Sequence, residues 1–478
     1  MATGRQVRAL WLILGTGLLA RVLLAVYLPL AIDETYAIAV SREFSWSFFD
    51  HPPLGFWSAA VSGALFGESY PAFRLPYLLY GLGTGYLLYR IGAELAGARA
   101  GLWAAALYNI TPFFVVSGAM AVVPDGPLEL GLAFAMLNLL RAAKTGETRF
   151  WLRVGIGLAV AFASKYQAVL FPLAVVLYAL ATPSARVWFR QKGPYIASAV
   201  ALLGFLPVLV WNAQNGWISF AFQGGRGGFG FDPLNFARMV LGQTLYLLPV
   251  SVLALRAMLR GLKTPALRLT AFVAITPVAV FNLLYLFTSD SLPHWPMSGW
   301  LFALPLAGVL LAARPAPRLV PALGALSWLL VAALAVQART GLFTPDPPPA
   351  WDQTREVFDW RALKPALEQS GALDGVELLA ATDWQDAGIV STALGGTYPV
   401  RVLDDAPHHF AFMSGPRTGG RGLLLRPVYA ADTEAAAAEL LRMARAIDPQ
   451  ARALPPVVLE RGSTPYIVVL PVSLEFPE

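Results

Sequence analysis

Two acidic residues stand side by side at the end of a hydrophobic run: Asp33 and Glu34, in the stretch AIDETYAIAVSREFSWSFFDHPPLGFW of residues 31–57. A carboxylate near apolar surface and beside another carboxylate has its charged form disfavoured, which brings its proton affinity toward working pH and suits it to general-base chemistry. Helix capping is the structural alternative for Asp33, because Asp ahead of TYAIAV is a good helix start. The two roles are compatible, since a cap fixes the carboxylate's direction. The same stretch carries Arg42, Asp50 and His51, and later segments add Arg74, Asp125, Lys165, Arg226, Asp232, Asp290 and His294. Lys165 and Arg226 have the charge to hold a phosphate. Arg226 lies in FQGGRGGFGFDP, whose glycine density fits a flexible lid better than a phosphate cradle: no strand precedes it and the GxxxxGKS pattern is absent. Of only four histidines, His51 and His294 fall in this set, but no pair shows the i, i+4 spacing of a helical metal site, so no metal is assigned. Arg21 stands inside an apolar run, where a cation needs a partner; a structural partner and a bound lipid phosphate serve equally well.

The elements that must position these residues are hydrophobic. The chain has 478 residues, 57% of them hydrophobic and 13% charged, with a mean hydropathy of +0.58, which excludes an ordinary soluble protein and points to a polytopic α-helical membrane protein. Apolar runs that can span a bilayer lie at about 8–30, 71–93, 98–117, 126–143, 150–164, 167–183, 194–212, 233–255, 268–288, 296–313 and 319–337, about eleven transmembrane helices in all. Basic residues concentrate in alternate loops, as with Arg141, Lys144, Arg149 and Arg153, or Arg256, Arg260, Lys263 and Arg268. That side is cytoplasmic by the positive-inside rule, so the N-terminus is cytoplasmic and the tail extracytoplasmic. The net charge of +6 then belongs to cytoplasmic loops, and nucleic acid is not an expected partner. With no cysteine there is no disulfide framework and no thiolate ligand. The candidate residues Asp33, Glu34, Arg42, His51, Arg74, Asp125, Lys165, Arg226 and His294 all fall on the outer side. The first outer loop, residues 31–70, has the periodicity of two short interfacial helices, with Trp46, Phe48, Phe49, Phe56 and Trp57 at headgroup level and Pro52 and Pro53 in the first turn of the second helix. TPDPPPAWD is a proline-rich linker. It separates a transmembrane domain, 1–340, from a small C-terminal α/β domain, 341–478, in which VELLAAT, YPVRVL, GLLLRPVY, PPVVLER and PYIVVLPV read as strands and AADTEAAAAELLRMARAI as a helix.

These residues carry a resemblance. DETYAIAVSR after the first span, FDHPPLGFW in the same loop, VVPDGPLE after the third, SKYQAVL between the fifth and sixth and LPHWP before the tenth are similar to the GT-C superfamily of glycosyltransferases, in the bacterial branch related to protein O-mannosyltransferases and lipid A aminoarabinose transferases. ATDWQDAGIVSTALGG looks like that family's outer domain. The resemblance implies a GT-C fold and an inverting glycosyltransferase at the outer face of the bacterial inner membrane. Its donor would be a polyprenyl-phosphate (undecaprenyl-phosphate) sugar and its acceptor a lipid, glycan or protein, above all an envelope lipid such as lipid A. It also implies Asp33 as base, with Glu34 beside it and Asp125 as a second site carboxylate. Lys165 with one or more of Arg226, Arg42, Arg74, Arg21, His51 and His294 would hold the donor phosphate, without metal or cofactor. A transporter or lipid flippase is the competing class; it calls for polar residues spread through the bilayer or broken helices in symmetric halves, whereas the ionisable residues here gather at one face.

Overall fold

The computed structural model describes residues 3–225, 230–288, 291–314, 319–343, 353–414, 419–430 and 433–477. Arg226, Asp290 and the whole of the expected proline-rich linker lie outside the described residues. Among the described residues sixteen α-helices precede residue 341: α1 (Gly4–Tyr27), α2 (Ile32–Ser41), α3 (Leu54–Phe66), α4 (Tyr70–Ala96), α5 (Ala98–Ile110), α6 (Pro112–Val116), α7 (Asp125–Thr145), α8 (Thr148–Phe162), α9 (Leu170–Ala181), α10 (Lys192–Gln214), α11 (Ile218–Gly225), α12 (Pro233–Tyr246), α13 (Ser251–Lys263), α14 (Pro265–Leu284), α15 (Met297–Ala312) and α16 (Leu319–Thr340). Each of the eleven apolar runs holds a helix or a helix pair. Among the described residues, by length and hydropathy α1, α10, α14 and α16 can each cross a membrane alone, and up to six spans result when each bent pair counts as one: residues 166–181 with 183–190, bent by 120°, and α12 with α13, bent by 101°. The run expected at 233–255 is therefore broken, and Pro249, which has no N–H to donate, lies in the break.

After residue 352 come α17 (Leu363–Gln369), α18 (Trp384–Ala393) and α19 (Thr433–Ile447), with strands β2 (Val357–Phe358), β3 (Leu378–Ala381), β4 (Val400–Val402), β5 (Gly420–Tyr429), β6 (Arg452–Ala453), β7 (Val457–Arg461) and β8 (Thr464–Phe476); β1 (Leu30–Ala31) lies far upstream. The chain forms two compact units, one of Met1–Leu23, Ser45–Gly55 and Arg74–Val331, the other of Leu24–Phe44, Phe56–Phe73 and Ala332–Glu478. Where the sequence predicts a linear boundary at residue 340, most of residues 31–70 belong to the same unit as the tail.

In the first unit, α7, α8 and α10 meet through small residues. A Cβ at Gly131 would lie 2.6 Å from the Gly157 carbonyl, and one at Gly157 would lie 2.7 Å from the Gly131 carbonyl. Without a hydrophobic drive between helices in lipid, such backbone approach is what gains packing energy. Helix α15 is buried continuously from Met297 to Gly308, the mark of a helix apolar on all sides and placed in a bundle core.

In the second unit a six-stranded mixed sheet runs β4-β3-β5-β8-β6, with β7 also on β8. β3 is parallel to both β4 and β5, and α18 is the crossover from β3 to β4, as parallel pairing requires. Asp383 caps α18, its Oδ1 accepting from the N–H groups of Gln385 and Asp386 at 2.9 Å. Leu440 and Ala444 of α19 pack with Leu424, Leu470 and Val472 of the sheet. A separate two-stranded sheet pairs β1 with β2 antiparallel, Leu30 opposite Phe358 and Ala31 opposite Val357.

The segment 31–70 forms two helices, α2 and α3, as expected, with three corrections. Pro52 and Pro53 precede α3 rather than occupying its first turn. Phe48 and Phe56 are buried, 1% and 3% exposed, while Trp46 is 51% exposed. Phe49 packs on Phe222 with ring centroids 4.7 Å apart. Aromatic content alone cannot separate rings that fill a protein core from rings that face a headgroup layer.

Candidate functional site

In the first unit, Asp125 opens α7 directly after Pro124, and α7 closes at Gly146, whose φ of 71° provides the left-handed cap. Lys165 sits in the short break after α8. Its ammonium donates to both Asp125 oxygens, at 3.0 and 2.9 Å, with Lys165 5% and Asp125 7% exposed. A buried charge is tolerated only with such a partner. His51 and His294 both lie within electrostatic reach of Asp125, and the His294 ring is nearly parallel to that of Phe113 at 6.4 Å. The loop bearing His51 is fixed by backbone contacts: Leu54 N–H donates to the Ala163 carbonyl at 2.8 Å, Gln223 Nε2 to the Asp50 carbonyl at 2.7 Å, and Tyr77 to the Gly55 carbonyl at 2.7 Å. The structure thus gathers four predicted residues, Asp125, Lys165, His51 and His294. Among the described residues no group of three or more His, Asp or Glu side chains could hold a metal ion.

Deeper in the same unit lies a layer of which the sequence reading singles out Arg21 alone. Glu129, one turn along α7 from Asp125, is 2% exposed and accepts from the Tyr108 hydroxyl at 3.3 Å. Arg21, also 2% exposed, donates to Asn109 Oδ1 at 2.5 Å and to the Phe114 carbonyl at 3.4 Å, its guanidinium 5.3 Å from the Tyr108 ring centre. Its partners are thus protein groups. Glu129 was findable, being an ionisable residue inside an apolar run, four residues from Asp125. Arg74 is 1% exposed.

In the second unit the paired acids at the start of α2 separate. Asp33 is exposed, whereas Glu34 is buried and its Oε2 accepts from the Ala31 N–H at 3.0 Å. Ala31 is the N-cap residue and Glu34, at the third position, reaches back to it; Asp33 lies within the first turn and is not the cap. The β1–β2 pairing brings Glu356 toward Asp33, and burial, together with the charge of Asp33, pushes the Glu356 carboxyl above its ordinary range while Arg355 opposes. The segment bearing Glu356 is held by buried Arg461, which donates to the carbonyls of Thr354 and Val357. Arg42, a predicted phosphate ligand, is engaged otherwise: it forks onto Glu68 at 3.1 and 2.8 Å and donates to the Ser391 carbonyl and hydroxyl at 3.2 and 3.3 Å.

Residues 50–211, which include His51, Asp125 and Lys165, match the dolichyl-phosphate-mannose-protein mannosyltransferase family. The undecaprenyl phosphate-alpha-4-amino-4-deoxy-L-arabinose arabinosyl transferase 1 of Proteus mirabilis is 28% identical over 205 residues, 38% of this chain and 36% of that protein. The putative mannosyltransferase YycA of Bacillus subtilis is 31% identical over 163 residues, 32% of this chain and 22% of that one. The lipid A galacturonosyltransferase RgtD of Rhizobium johnstonii is 25% identical over 38% of each chain. The chain thus matches less than two fifths of the length of these relatives. Across the whole fold, the crystal structure of ArnT from Cupriavidus metallidurans bound to undecaprenyl phosphate superposes with a TM-score of 0.66 at 18% identity, covering 96% of this chain and 97% of that one. The chain is a membrane protein of GT-C fold related to the protein O-mannosyltransferases and the bacterial aminoarabinose transferases.

Proposed function

We propose that the protein is an inverting glycosyltransferase that moves a sugar from a polyprenyl phosphate, undecaprenyl phosphate in bacteria, to an acceptor at the outer face of the inner membrane, with an envelope lipid such as lipid A as the acceptor of choice. The observation that carries this reading is the buried Lys165–Asp125 ion pair inside the stretch that matches the mannosyltransferase family. A lysine at an extracytoplasmic bundle end, aimed by one carboxylate and shielded from water, is suited to an anionic leaving group. In the proposed step Asp33 takes the proton of the acceptor hydroxyl. The hydroxyl oxygen forms a bond to the anomeric carbon, the bond from that carbon to the phosphate oxygen breaks, and the polyprenyl phosphate departs with the electron pair, its charge met by Lys165. Asp125 aims Lys165, and His51 and His294 supply further donors. The step assigns no role to a metal or cofactor.

The topology belonging to this reading has about eleven spans, a cytoplasmic N-terminus, and the tail in the periplasm. A reporter fused after residue 340 is expected to read outside the cytoplasm, and a cytoplasmic signal would overturn the placement. The deciding experiment is mass spectrometry of envelope lipids and glycans from cells with and without the gene. A gene-dependent increment equal to one sugar identifies both sugar and acceptor; unmodified lipid redistributed between leaflets without any increment would favour transport instead.

A further inference from the structure

Helix α2 carries Asp33 in its first turn, yet has only ten residues, too few to hold a direction by itself, because isolated helices of this length are marginal. Its direction comes from α18. A Cβ at Gly388 would lie 2.8 Å from the Tyr36 Cα and 2.9 Å from its nitrogen, so the two backbones touch where only glycine fits. The Thr392 hydroxyl donates to the Thr35 carbonyl at 2.8 Å. The Tyr36 ring meets Trp384 edge-on at 4.9 Å, its hydroxyl accepts from the His409 N–H at 3.3 Å, and Arg42 at the far end reaches Ser391. Contacts therefore run the length of α2, while its N-terminus is pinned separately by Glu34 and by the β1–β2 pair. Asp33 is the exposed residue ahead of this seam.

We infer that α18 aims Asp33, with Gly388 and Thr392 as the positioning residues. Holding a reactive group in place accounts for a large share of catalysis, and a misplacement of about 1 Å far from the chemistry can cost about 100-fold in rate. The inference rests on Asp33 being the base, and it makes the tail segment ATDWQDAGIVSTALGG part of the machinery through contact rather than chemistry.

The test uses the full chain. Rate is read as formation of the gene-dependent product in membranes containing equal amounts of each variant, and binding as the Kd of undecaprenyl phosphate for the purified protein in nanodiscs. Gly388→Ala is expected to lower the rate about 100-fold while leaving Kd within about twofold of the parent protein. Thr392→Val is expected to lower it about tenfold, and Thr392→Ser, which keeps the hydroxyl, to restore it, since the hydrogen bond to the Thr35 carbonyl is regained. In the Asp33→Asn background neither substitution should lower the residual rate further, because residues acting through one group are not additive. Parental rates for both Gly388→Ala and Thr392→Val, parallel losses of rate and lipid affinity, or additive losses with Asp33→Asn each overturn the inference. If Gly388→Ala does not fold, the Thr392 pair carries the test alone. Asp33→Asn with parental turnover would instead remove Asp33 as base, a result read without any α18 variant.

Discussion

Asp33 with Glu34 and Asp125 with Glu129 are two pairs of carboxylates near helix starts, and the spacing within each pair decides how its members divide. Adjacent residues on a helix point about 100° apart, so Asp33 faces outward while Glu34 turns in to satisfy the Ala31 N–H. Residues four apart share a face, so Asp125 and Glu129 remain coupled: Asp125 holds Lys165, and Glu129 lies one turn deeper, in electrostatic contact with Asp125, Arg21 and Lys165. The first pair is one buried carboxylate serving the helix cap and one exposed carboxylate. The second is a two-layer array, Lys165 on Asp125 in one layer and Tyr108 on Glu129 in the next.

Breaking the comparison at its most sensitive point means Asp33→Asn, expected to cut product formation about 1000-fold, within the usual range for loss of a general base, with undecaprenyl phosphate affinity retained. Glu34→Gln, which keeps a carbonyl oxygen for the Ala31 N–H, should stay within about tenfold of the parent; equal losses from the two substitutions would erase the division of roles. Lys165→Ala should lower turnover about 100-fold and weaken undecaprenyl phosphate binding, and a parental Kd would remove Lys165 from the phosphate. Glu129→Gln should lower turnover about tenfold, and its effect should shrink in the Asp125→Asn background if the two act as one array; a full loss in both backgrounds would show two independent carboxylates. Glu34→Ala should cost about 1 kcal/mol of stability, the usual value of a lost cap, seen as a lower melting temperature.

The smallest effect lies in the tail. Burial, with the charge of Asp383, raises the Asp386 carboxyl from 3.8 to about 7, and burial lowers His409 from 6.5 to about 3. Between the ordinary and folded values of Asp386 the folded chain holds a proton that the unfolded chain has lost, so this residue makes stability fall as pH rises. For His409 the unfolded chain holds the extra proton, so stability falls as pH drops. From about pH 4 to 6.5 the two slopes oppose each other, and the melting temperature should change little. Asp386→Asn should expose a melting temperature that falls toward acid, and His409→Gln one that falls toward pH 7. A flat profile in both variants would rule out the two burials as the cause.

Hydropathy was enough to place every apolar run on a helix, and short continuous runs of aliphatic residues were enough to place the long strands of the tail, because burial in lipid or in a sheet acts on consecutive residues. Asp125, Lys165, His51 and His294 were legible as ionisable residues in short segments between apolar runs, where few structural uses compete. What escaped depends on partners distant in sequence. Arg42 offers no local sign that Glu68 and Ser391 will take its guanidinium, and Phe48 has the same composition as an interfacial ring until the Ser219 hydroxyl and the surrounding core close over its segment. Tyr108 and Glu129 hid inside runs that hydropathy averages away.

The short β1–β2 pairing has a consequence for how the chain can be cut. Residues 30–31 are hydrogen-bonded to 357–358, and α2 is seamed to α18 by Thr392 and Arg42, so covalent continuity after α16 is one of several ties. A protease site inserted between Phe343 and Gln353 should yield two fragments that stay together through purification in mild detergent and separate only under denaturation. Co-expressed as two polypeptides divided at that point, the halves are expected to find each other, giving a split protein whose reassembly reports directly on the fit of α2 against α18.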